Sequence, residues 1–158
     1  MSFLLPFLIL AQAVVSIPAS PPAEPLPAPG GADRLSLVIA DTVSETDPQR
    51  LCDQPDCTSL YLGSYRNAVV LAGLPVGQEF EARIEMGSPW LRPYRLAMIV
   101  EHRDGREPLV RAVTGFHERT GEGCFETRDT DALEWAPEGP GITVRRRVIC
   151  VTNQAEWD

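Results

Sequence analysis

The stretch QEFEARIEM (78–86) admits one structural reading and sets the class of the whole chain. Phe80, Ala82, Ile84 and Met86 fall on one side of an extended backbone, and Glu79, Glu81, Arg83 and Glu85 on the other. Alternation with a period of two marks a strand with one buried and one solvated face, as antiparallel sheets carry. The same period recurs around it. RLSLVIADTV (34–43), mostly apolar and β-rich, reads as a first strand, and TSLYLGSYRNAVVLAG (58–73) as a long second one. Gly63 in the middle of the latter marks a bulge or sharp bend, as when one strand serves both sides of a barrel. Between them, Asp47-Pro48 reads as a helix N-cap with proline at the first helical position, a single turn running into Cys52.

LPVG (74–77) is a turn. YRLAMIVEH (94–102) carries apolar residues on both faces at its centre, so it is expected to be covered on both sides. Asp104-Gly105 is a hairpin signal that returns the chain into PLVRAVTGF (108–116). A polar loop, HERTGEG (117–123), leads to a short strand at 124–126, a helical turn at DALEW (131–135) and a stop at EGPG (138–141). ITVRRRVICV (142–151) is the last strand. Six or seven strands with frequent turns and little helix predict an all-β domain over 33–153, folded as a small curled antiparallel barrel, OB-like, with two disulfides. Residues 154–158 form a C-terminal tail. A domain of this length buries roughly two-thirds of its unfolded surface, enough for one core.

The cysteines decide the compartment. Cys52 and Cys57 bracket Asp53-Gln54-Pro55-Asp56, and Cys124 and Cys150 follow far downstream. A zinc site wants short paired spacings among four Cys or His ligands, and only the first pair is close together. A thioredoxin-type switch needs two residues between its thiols, not four. Asp53 and Asp56 fall short of the six or more oxygens that calcium takes. Two disulfides, Cys52–Cys57 and Cys124–Cys150, are the preferred reading among three possible pairings, with no metal and no cofactor.

The N-terminus agrees with an oxidising compartment. Residues 1–16 are almost wholly apolar, shorter than the roughly 20 residues that span a bilayer, and small residues near Ala13 and Ser16 offer cleavage points. They read as a signal peptide, despite an n-region without Lys or Arg. Residues 17–32 hold six prolines ahead of Gly30 and Gly31 and read as an extended linker. The expected location is periplasmic or secreted, with no membrane span after cleavage. A net charge of −8 disfavours nucleic acid as a partner. All 14 basic residues are arginine, a bias that GC-rich coding explains better than function.

Nucleophile elbows, phosphate loops, zinc-protease motifs and dinucleotide fingerprints are all absent from the sequence. What remains are residues that break the pattern. Arg146 falls in the apolar phase of Ile142, Val144, Val148 and Cys150, where an unpaired guanidinium would be costly. His102 follows the phase of Leu96, Met98 and Val100 at a strand end. His117, Glu118 and Arg119 gather an imidazole, a carboxylate and a guanidinium on one loop, the raw material of acid–base chemistry. Trp90, Arg92 and Tyr94 sit at a proline-stiffened hairpin tip suited to stacking on a sugar or filling a partner's pocket. These features favour an exported, non-catalytic binding or accessory domain that contacts a partner protein or a polysaccharide of the cell envelope. The alternatives are a small hydrolase or lyase, requiring His102 or His117 to meet a carboxylate in one cleft, and a structural accessory subunit.

Overall fold

The computed structural model describes residues 31–51, 57–88, 93–126, 135–145 and 148–153. The signal segment, the linker up to residue 30, Cys52, Trp90, Arg92, Arg146, the DALEW turn up to residue 134 and the C-terminal tail lie outside the described residues. Apart from one 3-10 turn at Ala32–Arg34, every regular element described is a strand. β1 (Leu35–Arg50), β2 (Ser59–Gly73), β3 (Phe80–Met86), β4 (Arg95–Glu101) and β5 (Leu109–Gly115) close into a barrel in the order β1-β2-β3-β5-β4. β6 (Glu122–Glu126), β7 (Ile142–Arg145) and β8 (Val148–Thr152) form a separate sheet in the order β6-β8-β7.

The all-β expectation therefore holds, with two corrections to the architecture. Eight strands are described, not six or seven, and the barrel is mixed rather than antiparallel. β3 and β5 run parallel, pairing Arg83 with Leu109 and Ile84 with Val110. A closed ring of five strands cannot reverse direction at every contact, so one neighbour pair has to be parallel.

Alternation divides the core into two layers. Val38, Ala40, Tyr65, Ala82, Ile84, Leu96, Met98, Val100 and Val110 fill the barrel. Leu35, Leu37, Ile39, Ala97 and Ile99 point the other way, onto Phe125, Ile149 and Val151 of the small sheet. β1 and β4 thus have apolar residues on both faces, as the sequence of β4 foretold, because they lie between the barrel interior and a second layer.

The curvature comes from four register shifts between β1 and β2, at Leu37/Val38, Ile39/Asp41, Thr42/Ser44 and Thr46/Gln49; bulges of this kind bend and twist a ladder. The helical turn expected at Asp47-Pro48 is instead the last of these shifts. Asp47 takes φ 50, a left-handed conformation that Asp tolerates, and Pro48 has no N–H to offer a ladder. Pairing then resumes at Gln49 with Leu60 and Arg50 with Ser59, so β1 and β2 form one long antiparallel ladder.

Gly63 is not a bulge. It pairs regularly with Glu45 and Ala82, and its role is steric. A Cβ there would come within 2.5 Å of the Tyr65 hydroxyl, because the Tyr65 ring folds back over it while stacking on Phe80 at 5.0 Å. Tyr65 is 2% exposed, yet its hydroxyl has no hydrogen-bond partner among the described residues, and burial together with the Glu45 charge pushes its pKa well above the ordinary value. A buried hydroxyl left unsatisfied costs about 1–3 kcal/mol. Tyr65→Phe is accordingly expected to be neutral or to stabilise by about 1 kcal/mol in urea unfolding, whereas a loss above about 1 kcal/mol would show that the hydroxyl is bonded.

The last strand read from sequence is really a hairpin. β7 and β8 pair antiparallel, with Arg145 opposite Val148, so only residues 146 and 147 separate the paired ends. Arg146, whose place in the apolar phase drew attention in the sequence, lies outside the described residues. Cys124 and Cys150 are direct cross-strand partners and form the expected disulfide. Cys57 is disulfide-bonded as well; Cys52, the partner expected for it, lies outside the described residues.

Candidate functional site

The outward row of β1, Leu35-Leu37-Ile39, continues to Asp41, and that of β4, Ala97-Ile99, extends to Arg95 at one end and Glu101 at the other. The ladder places Asp41 opposite Arg95 and Leu35 opposite Glu101. A carboxylate–guanidinium pair therefore closes each end of the apolar layer between barrel and small sheet. At one end Glu101 pairs with Arg111, the two side chains being 5% and 11% exposed. Arg111 is the extra residue where the β4–β5 register shifts between Ile99 and Val100, and the bulge turns its guanidinium onto Glu101.

At the other end the pair Asp41–Arg95, 2.9 Å apart, is partly exposed, at 24% and 29%, and opens into a cleft of about 610 Å³. The cleft is lined by Asp41, Asn67, Ala68, Val69, Gln78, Arg95 and Asn153. Asn67 occupies the β2 side of the Ile39/Asp41 register shift with φ 52 and donates to Asp41 Oδ2 at 2.8 Å. Arg95 Nε donates to Asn153 Oδ1 at 3.1 Å. Asn153 is held in turn by its own N–H on the Gly121 carbonyl, and Gln78 by its carbonyl on the Ala68 N–H. Burial by itself would push the Asp41 carboxyl up; hydrogen bonds from Asn67 and Arg95, with the charges of Arg95 and Arg66, outweigh it and hold the pKa below the ordinary value. Asp41 is thus a neutralised, fixed carboxylate, unsuited to carrying a proton in catalysis.

Of the residues singled out by sequence, Tyr94, His102, His117, Glu118 and Arg119 are described, and none of these lines the cleft. Tyr94 is 38% exposed, beside Arg95 in the chain, and its backbone is fixed to β1: its N–H donates to Thr42 Oγ1 and its carbonyl accepts from the Thr42 N–H, both at 2.8 Å. His117, Glu118 and Arg119 are exposed in the β5–β6 turn. His117 Nδ1 accepts from the Arg119 N–H at 3.3 Å, and its carbonyl accepts from the Gly121 N–H, so the imidazole caps its own turn. His102 lies at the far end of the barrel. The β4–β5 register pairs Leu96 with Gly115 and Glu101 with Leu109, which separates the two histidines by the length of the ladder.

His102 meets a hydroxyl instead. Ser36 Oγ donates to the Leu74 carbonyl at 2.6 Å and lies 2.7 Å from His102 Nε2. A hydroxyl has one proton, so Ser36 accepts from His102 Nε2–H. A nucleophilic hydroxyl would instead donate to the imidazole; the contact is a stitch. It ties β1 and β4 to the turn after Gly73, where φ is +90 and a Cβ would strike the Leu35 carbonyl. Burial lowers the His102 pKa below its ordinary 6.5. Below about 6.5 the unfolded chain binds a proton that the folded one resists, so this part of the stability is complete above that pH and is lost as the pH falls. Urea midpoints measured from pH 7.5 to 5.5 are expected to decline, and His102→Gln to flatten the decline; an unchanged slope would contradict the assignment.

Among the described residues, no group of three or more His, Cys, Asp or Glu side chains is placed to hold a metal ion, and no helix is long and apolar enough to cross a membrane. No family model, curated protein or solved structure matches the chain.

Proposed function

We propose that the chain is an exported, non-catalytic binding domain that contacts a partner protein or an envelope polymer or oligosaccharide through the cleft at the seam of its two sheets. The carrying observation is the chemistry of that cleft: three amide side chains around a carboxylate already paired with a guanidinium, the residues of recognition rather than proton transfer. A periplasmic or secreted location is supported by the apolar leader and by the Cys124–Cys150 bond. The barrel is read as OB-like on its topology. β1, β2 and β3 form a meander, β4 returns beside β1, and β5 inserts between β4 and β3, a five-stranded Greek-key ring of the kind that binds oligosaccharides and oligonucleotides. The net charge of −8 argues against the latter.

A photoreactive benzoylphenylalanine introduced at Gln78 tests the reading in the cells that make the protein. Irradiation is expected to yield a discrete adduct in the envelope fraction, with none from the same probe at Val144, which is 43% exposed on β7. Equal labelling at both positions, no adduct at Gln78, or release of new polymer fragments by the purified protein would overturn it.

A further inference from the structure

The unspent hydrogen-bonding groups of the cleft define a narrower ligand class. Arg95 has five N–H groups, of which Nε is committed to Asn153 and one on Nη1 to Asp41. Three remain. Asn67 has spent one N–H on Asp41, and Asn153 has spent its carbonyl on Arg95. Among the described residues, this leaves the second Asn67 N–H and its carbonyl, the Asn153 amino group and both ends of the Gln78 side chain. Donors and acceptors are thus intermixed on planar groups, which suits ligands whose own groups both donate and accept. Hydroxyls do so; carboxylates and phosphates only accept.

Charge points the same way. The guanidinium that lines the cleft is already paired with Asp41 at 2.9 Å; Arg66 adds one further positive charge near Asp41, against a chain that as a whole carries −8, a field that repels anions. Val69, 41% exposed, and Ala68 supply an apolar wall beside these groups, where the C–H face of a sugar ring can lie. A volume of about 610 Å³ is within the usual range of small-ligand sites.

Resting on the reading of the seam as the contact surface, we propose that the cleft binds an uncharged, hydroxyl-rich sugar unit, with Asn67, Gln78, Arg95 and Asn153 as its polar contacts.

The test uses the disulfide-intact, full-length chain labelled with ¹⁵N. It is titrated with cellobiose, chitobiose and maltotriose as neutral probes, and with digalacturonate as an anionic one. At least one neutral probe is expected to shift the side-chain resonances of Asn67, Gln78 and Asn153 and the Arg95 Nε–H, saturably and at least fivefold more tightly than digalacturonate. Gln78→Ala and Asn153→Ala, neither of which removes a core contact, are each expected to weaken that binding at least fivefold without moving the melting temperature. Tighter binding of digalacturonate at the same resonances would overturn the sugar class while leaving the seam as the contact surface. Neutral-probe shifts confined to other residues, or the absence of shifts with every probe, would overturn the sugar class, and the crosslink at Gln78 then decides separately whether the seam is the contact surface.

Discussion

Arg111→Ala is expected to destabilise the protein by about 3–5 kcal/mol, the cost of leaving a buried carboxylate without its counter-charge. Glu101 is 4% exposed, so solvent has little access to replace a lost guanidinium. The pair itself is not thereby a large net stabiliser, because desolvating two charges offsets most of their attraction. Glu101→Leu combined with Arg111→Met is therefore expected to recover most of the loss. Urea unfolding of the two single variants and the double variant measures this directly. A loss below about 1 kcal/mol in Arg111→Ala would mark the pair as an ordinary surface ion pair and would remove the reason for the β5 bulge.

Replacing Cys124 and Cys150 together by alanine is expected to cost about 3.5 kcal/mol on the loop-closure account of a crosslink, the two residues being 26 apart in sequence. The effect should be local. Three short strands are barely stable alone; β6, β7 and β8 persist because Phe125, Ile149 and Val151 share a core with β1 and β4. Hydrogen exchange should accelerate first at the β8 amides, with β4 and the barrel interior following only on global unfolding. Uniform acceleration in every strand would show that the two sheets open as one unit, and an unchanged melting temperature would show that the crosslink adds nothing to packing.

The fold class was legible because the strongest signals were local. The alternation in β3, the doubly apolar centre of β4 and the Asp104-Gly105 turn are each set by a few neighbouring residues. The errors arose where neighbours were ambiguous. Arg145 through Arg147 contain no turn former, so a hairpin read as one strand. Asp47-Pro48 is equally good at starting a helix and at interrupting a ladder, and only the pairing with β2 decides. Gly63 is explained by the side chain of Tyr65, not by backbone geometry.

The cleft was missed for a related reason. Asp41 extends the phase of Leu35, Leu37 and Ile39, and Glu101 that of Ala97 and Ile99, so both were pattern-breakers of the same kind as Arg146. Attention to that phase would have found them. Their partners Arg95 and Arg111 were beyond reach, since the register that joins them is a tertiary fact, and Asn67, Gln78 and Asn153 enter the cleft from a register shift within β2, the β2–β3 connection and the residue after β8.

The central claim is that contact is made at the seam of the two sheets and not on the charged loop at His117–Arg119. Hydrogen exchange of the purified chain, with and without a soluble extract of its native envelope, tests it most directly. Slowed exchange at Asn67–Val69, Gln78 and Asn153, with His117–Gly121 unchanged, is the predicted footprint. Protection confined to His117–Gly121 would contradict the account.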